Sequence, residues 1–195
     1  MQSMKIVQYP HPALRFKAKP LTSIDKEFNL RVGRMFELMY EAKGLGLAAN
    51  QVAIPHQFLV LNITGDPEQK DKEEIFINPV IVERKGTIDD NEGCLSFPGL
   101  YQRVRRAKSV KVQAYTAKGE AVEIEASGLA ARAWQHEIDH LNGVLFVDKM
   151  SLVSRIASKN SLAEMEAEFR HAQEKGEIPK DLELGQVLDS LSCEA

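Results

Sequence analysis

The sequence predicts an α+β fold: antiparallel sheets packed around a central helix that carries an HExxH pattern, with a further helix near the C-terminus. Three observations support this. Strand-like segments follow one another in hairpin order instead of alternating with helices, which argues against a βαβ succession. The stretch "HEIDH", His136 to His140, lies in a segment bounded by a helix start and a helix stop. A polar segment with helical spacing follows near the end of the chain.

The 195 residues, 44% hydrophobic and 27% charged, suit one domain with a sizeable core. Residues 1–160 hold its motifs, and residues 161–195 read as a helical, partly disordered extension of the same domain. A net charge of -3 gives no reason to expect nucleic-acid specificity or attachment to an anionic membrane. The basic run "RVRRAK", Arg103 to Lys108, could touch a polyanion but reads better as a solvated strand face. The N-terminus has no apolar signal core and no window is long enough to span a bilayer, so a cytoplasmic protein is expected. Cys94 and Cys193 are too few for a disulfide framework and too scattered for a CxxC site.

The first twenty residues carry Pro10, Pro12 and Pro20 and are expected to run extended. From Asp25 to Ala42, apolar residues at Phe28, Val32, Met35, Phe36 and Met39 predict an amphipathic helix despite Gly33. The glycine-punctuated "KGLGLAANQ" ends it. "HQFLVLNI" and "EIFINPVIVERKG" read as strands joined by the charged turn "GDPEQKDKEE". Alternation around Lys118-Gly119 marks a hairpin. A helix from about Gly128 to Asn142 follows, with Ser127 as N-cap and Gly143 as stop. A third, polar helix is expected near Ser161 to Lys175, and the residues after it read as loosely held.

On a helix, residues four apart share a face, so His136 and His140 can aim two ring nitrogens at one metal ion. Glu137, offset by one position, is placed to move a proton beside it. The alternative is a pair of histidines satisfied by water or core partners; the complete HExxH on a capped helix favours metal binding. A metzincin would need histidine where this chain has Phe146. A thermolysin-like endopeptidase would draw its third ligand from Glu164 or Glu166, in a charged segment better explained as a solvated helix face. Cys94, in the turn-like "NEGCLSFPGL", is the remaining candidate, weighed against a buried structural cysteine.

At these residues the chain resembles the peptide deformylase family. Its three motifs stand here as "GLGLAANQ" (Gly44 to Gln51), "EGCLS" (Glu92 to Ser96) and "HEIDH", in the expected order, and the resemblance runs from about Met4 to Ser151. It implies one divalent metal ion held by Cys94, His136 and His140. Ferrous iron is the expected cellular ion, with zinc, nickel or cobalt able to take its place. It also implies hydrolysis of the formyl group from the N-terminal formylmethionine of nascent polypeptides. Glu137 would transfer protons, while Gln51 and the backbone N–H of Leu95 would stabilise the oxyanion.

Gly44, Leu45, Gly46 and Gly93 would hold the peptide backbone. Leu45, Leu129, Ala133 and the His136 ring would line the methionine pocket. Glu92 is a candidate to fix a ligand histidine or the Cys94 loop, and Asp139 to pair with Arg106; both also read as ordinary surface carboxylates. The mixed-charge tail is a candidate for docking near the ribosome exit tunnel. A catalytically silent binding protein is the other competing class, and the intact Glu137 and Gln51 argue against it.

Overall fold

The computed structural model describes residues 4–193. The N-terminal segment runs extended except for a short 3-10 turn at Pro12–Arg15, where the proline occupies the first turn and His11 is the N-cap. Helix α1 spans Lys26–Glu41, and Asp25 Oδ1 accepts the Phe28 N–H at 2.7 Å to cap it. Its buried stripe, Phe28, Val32, Met35, Phe36 and Met39, is the one the spacing predicts; Leu38 joins it.

Strands β1 (Gly46–Ala48), β2 (Phe58–Leu61), β3 (Glu74–Lys85), β4 (Ile88–Cys94), β5 (Phe97–Arg106), β6 (Ser109–Tyr115) and β7 (Ala121–Ser127) form two sheets. Five strands run in the order β1-β2-β3-β6-β7, and β4 pairs with β5 in a separate two-stranded sheet. Every pairing between them is antiparallel. The β6–β7 hairpin turns at Lys118-Gly119, with Gly119 at φ +78°.

Helix α2, Gly128–Leu141, lies against the five-stranded sheet. Ser127 occupies its N-cap position without a side-chain hydrogen bond. It ends at Gly143, whose φ is +71° and where a Cβ would stand 2.5 Å from the Arg15 carbonyl oxygen. Ala131, Trp134, Ile138 and Leu141 bury one face of α2 in a core shared with α1 and the large sheet. The other face turns Arg132, His136 and Asp139 toward groups on β4 and β5. The helix is therefore central, as the fold class requires.

A second core joins Val7, Ala13 and Leu14 to Phe97, Leu100, Val104, Leu145, Phe146 and Met150. The C-terminal region departs from expectation. Helix α3 spans Leu152–Glu174, so it begins nine residues before Ser161, and the boundary read at residue 160 falls inside it. Its first turns expose Leu152, Val153 and Ile156. The segment read as loosely held contains a fourth helix, α4, at Asp181–Leu191. It is docked: Leu188 is 3% exposed and belongs to the second core. Residues 194–195 lie outside the described region.

Candidate metal centre

Cys94 ends β4 at a register shift between Gly93 and Cys94, followed by the Leu95-Ser96 turn into β5. This bulged end aims the sulfur at α2. Cys94 Sγ lies 3.2 Å from His140 Nε2, and the ligand atoms of Cys94, His136 and His140 all lie within 4.8 Å of one another. Among the described residues no other group of histidine, cysteine or carboxylate side chains converges in this way. Glu164 lines a separate groove of about 460 Å³, and Glu166 accepts the Tyr9 hydroxyl at 2.5 Å. The thermolysin-like reading thus has no third ligand.

The donor set fits a divalent ion. One soft thiolate and two imidazoles suit zinc or a late transition metal, and three protein ligands leave a coordination position open. The imidazoles are prepared for it. His136 Nδ1 faces Glu92 Oε1 at 2.7 Å, which leaves its Nε2 as ligand. Burial holds His140 well below the ordinary histidine range, in the neutral form a ligand needs.

Glu92 is a buried carboxylate and not a surface one: it is 6% exposed. Arg106 donates to it through Nε at 3.1 Å and Nη2 at 2.6 Å, and Arg132 through Nη1 at 2.7 Å. Burial alone would raise its carboxyl; hydrogen bonds from His136 and Arg106 outweigh that and hold it well below the usual range. Arg106 also bonds Asp139, so the pair anticipated from the sequence exists. Arg132 was not anticipated. Its signal was a lone arginine in "GLAARAWQ", four residues before His136 and hence on the same helix face.

Gln51 is oriented by its own backbone neighbourhood. Its Oε1 accepts the Ala48 N–H at 2.9 Å, which turns Nε2 toward Cys94 Sγ at 3.6 Å and Ser96 Oγ at 3.3 Å. Glu137 is 5% exposed, and its Oε2 is buried with no hydrogen-bond partner. Burial pushes its carboxyl up to about 7. An unpartnered buried carboxylate oxygen beside three metal-ligand atoms suits a centre that acts on a ligand.

The glycines bring these segments together. A Cβ at Gly44 would lie 2.7 Å from Leu95 Cδ1, and one at Gly46 would lie 2.8 Å from Glu137 Oε1. At Gly93 it would fall 2.4 Å from the Tyr101 ring. Leu129, Ala133 and His136 lie at positions four and three apart on α2, one continuous stripe that runs from an exposed to a buried end. Leu45, half-buried, immediately precedes β1, against which α2 packs.

Comparison with known proteins agrees with this arrangement. Residues 3–155 match the family described as polypeptide deformylase. A peptide deformylase of Neisseria gonorrhoeae is 44% identical over 162 residues, covering 83% of this chain and 95% of the relative. One from Chromobacterium violaceum is 44% identical over 166 residues, covering 85% and 98%. A crystal structure of the Plasmodium falciparum peptide deformylase superposes with a TM-score of 0.83 at 39% identity, covering 86% of this chain and 98% of that one. An Arabidopsis thaliana peptide deformylase in complex with an inhibitor gives a TM-score of 0.83 at 39% identity, covering 92% and 99%. Because the matched span includes the cysteine turn, the HExxH helix and the short 3-10 turn of Gln51 that meet at one point, the chain belongs to the polypeptide deformylase family.

Proposed function

We propose a division of labour among this chain's residues for the reaction of its family, metal-dependent hydrolysis of the N-formyl group from the N-terminal formylmethionine of nascent polypeptides. Water and the formyl amide are consumed; formate and a free amino terminus are released. Cys94, His136 and His140 hold the ion, ferrous iron in the cell, with zinc, nickel or cobalt able to replace it in a purified sample. When bound, the ion acidifies water and polarises a carbonyl oxygen.

Glu137 accepts the proton of the attacking water and returns it to the departing amine, which breaks the C–N bond. A carboxyl near neutrality serves both directions. Gln51 Nε2 and the Leu95 N–H donate to the oxyanion that forms on the formyl oxygen. Gly44, Leu45, Gly46 and Gly93 pair with the extended peptide backbone, since bare glycines admit a close approach. Leu45, Leu129, Ala133 and the His136 ring enclose the methionine side chain.

The residues before α3 carry this machinery, and α3 and α4 extend the same domain. The cytoplasm, where nascent chains emerge, is the proposed location. The helical tail is proposed to dock near the ribosome exit tunnel, and unchanged ribosome co-sedimentation after its removal refutes that.

The observation that carries the reading is the convergence of three ligand atoms within 4.8 Å beside the Gln51 amide and the buried Glu137. It is tested by formate release from formyl-Met-Ala-Ser, using anaerobically purified protein with iron and zinc assayed on the same sample. Cys94→Ala is expected to lose both metal and formate release. A fully metallated protein without formate release overturns the proposal.

A further inference from the structure

Leu45 has a wall behind it that the reaction itself does not use. Its carbonyl accepts the backbone N–H of Asn62 at 2.9 Å. Against its side chain stands Gly65, at φ +66°, where a Cβ would lie 2.9 Å from Leu45 Cδ2. Both belong to the loop of residues 62–73, which leaves β2 and carries the charged "GDPEQKDKEE" turn toward β3.

That loop is closed from the inside by one carboxamide. Asn62 is 0% exposed. Its Nδ2 donates to the carbonyl oxygens of Asp66 at 3.3 Å and Gln69 at 3.2 Å, and to the Tyr40 hydroxyl at 2.8 Å. Its Oδ1 accepts from the Thr64 N–H at 3.1 Å and the Thr64 hydroxyl at 2.6 Å. Tyr40, near the end of α1, in turn donates to Glu73 at 3.0 Å. The site needs donors and acceptors together. A carboxylate of the same shape supplies only acceptors, and it would face two carbonyl oxygens.

The backbone on either side of Leu45 is held, since the Gly44 N–H bonds the Met39 carbonyl at 2.8 Å and Gly46 opens β1, so what remains to be positioned is the half-buried side chain. A pocket wall rejects an ill-fitting side chain only if it does not yield. We propose that Asn62 is a positioning residue for the methionine pocket: by closing the 62–73 loop it holds Gly65 against Leu45 and fixes the wall that selects the residue next to the formyl group. The inference rests on the assignment of Leu45 to that pocket made above.

The test compares formyl-Met-Ala-Ser with formyl-Phe-Ala-Ser on the metal-loaded protein, measuring kcat and KM for Asn62→Asp, Gly65→Ala and Leu45→Ala. Pocket contacts of this kind discriminate by about 10- to 200-fold, so loss of a rigid wall is expected to lower the Met-to-Phe ratio of kcat/KM by about tenfold, mainly through KM for the methionine peptide. Gly65→Ala carries the test if Asn62→Asp does not fold, because it leaves the Asn62 carboxamide in place while straining a left-handed residue and setting a Cβ 2.9 Å from Leu45 Cδ2. General damage lowers kcat on both substrates alike and leaves the ratio untouched. An unchanged ratio in the folded loop variants, with a changed one in Leu45→Ala, overturns the role of Asn62 alone. An unchanged ratio in Leu45→Ala overturns the pocket assignment as well.

Discussion

Glu137 and Glu92 show how residues of one type acquire opposite proton affinities from their surroundings. Glu137 is buried with an oxygen left unpartnered, which raises its carboxyl to about 7. Glu92 is as deeply buried but accepts from two arginines and faces His136 Nδ1, which keeps it ionised. Replacing Glu137 with the nearly isosteric Gln is expected to retain fold and metal while lowering kcat by about 10²- to 10⁴-fold, the usual contribution of a positioned proton-transfer group. Unchanged formate release from a metal-loaded Glu137→Gln protein would remove the assignment. Glu92→Gln acts differently. It weakens the hold on the His136 ring, so metal affinity should drop by about 10- to 100-fold, as read by competition with a chromophoric chelator.

At the scale of elements, the Pro12–Arg15 turn is the joint between the body and the C-terminal helices. His11 Nδ1 accepts the Ala13 N–H at 3.1 Å, and the ring lies edge-on to Phe169 of α3 at 6.1 Å. The cap requires a neutral imidazole. Burial, followed by the charge of Lys5, lowers its pKa from 6.5 to about 4, while Asp181 of α4 acts in the opposite direction. The folded state therefore binds the proton less readily than the unfolded chain. The stability from His11 is complete above about pH 6.5 and is lost as pH falls from there toward 4. Asn can cap the same turn without titrating. Denaturant melts are expected to show His11→Asn with a flatter stability profile across this window than the parent. Parallel profiles would mean that His11 does not titrate on unfolding.

Taken as a whole, the molecule places its ligands on separate parts of the fold. Cys94 comes from the small sheet, and His136 and His140 come from the helix packed on the large one. An ion bound by all three ties these parts together in the folded state only. At a free concentration one hundred times its dissociation constant, such an ion adds about 2.7 kcal/mol of stability. Thermal melts should therefore shift upward with added divalent ion and downward with a chelator, and Cys94→Ala should be nearly insensitive to both. An equal response in Cys94→Ala would place the stabilising ion elsewhere.

Features that depend on near neighbours along the chain are legible in the sequence. Period and caps placed α1 and α2, alternation placed the β6–β7 hairpin, and the four-residue spacing put His136 and His140 on one face. The motif "EGCLS" singled out Cys94, and the strand bulge that presents it matched its glycine-rich setting. Glu92 is a buried carboxylate and not a surface one because its partners Arg106, Arg132 and His136 come from β5 and α2, far from it in sequence. The docking of α4 depends on Leu188 meeting a core built by distant segments. Asn62 carries no motif. Its place became visible only when a buried carboxamide was found closing a loop against Leu45, since burial and hydrogen-bond satisfaction belong to neighbours in space and not in sequence.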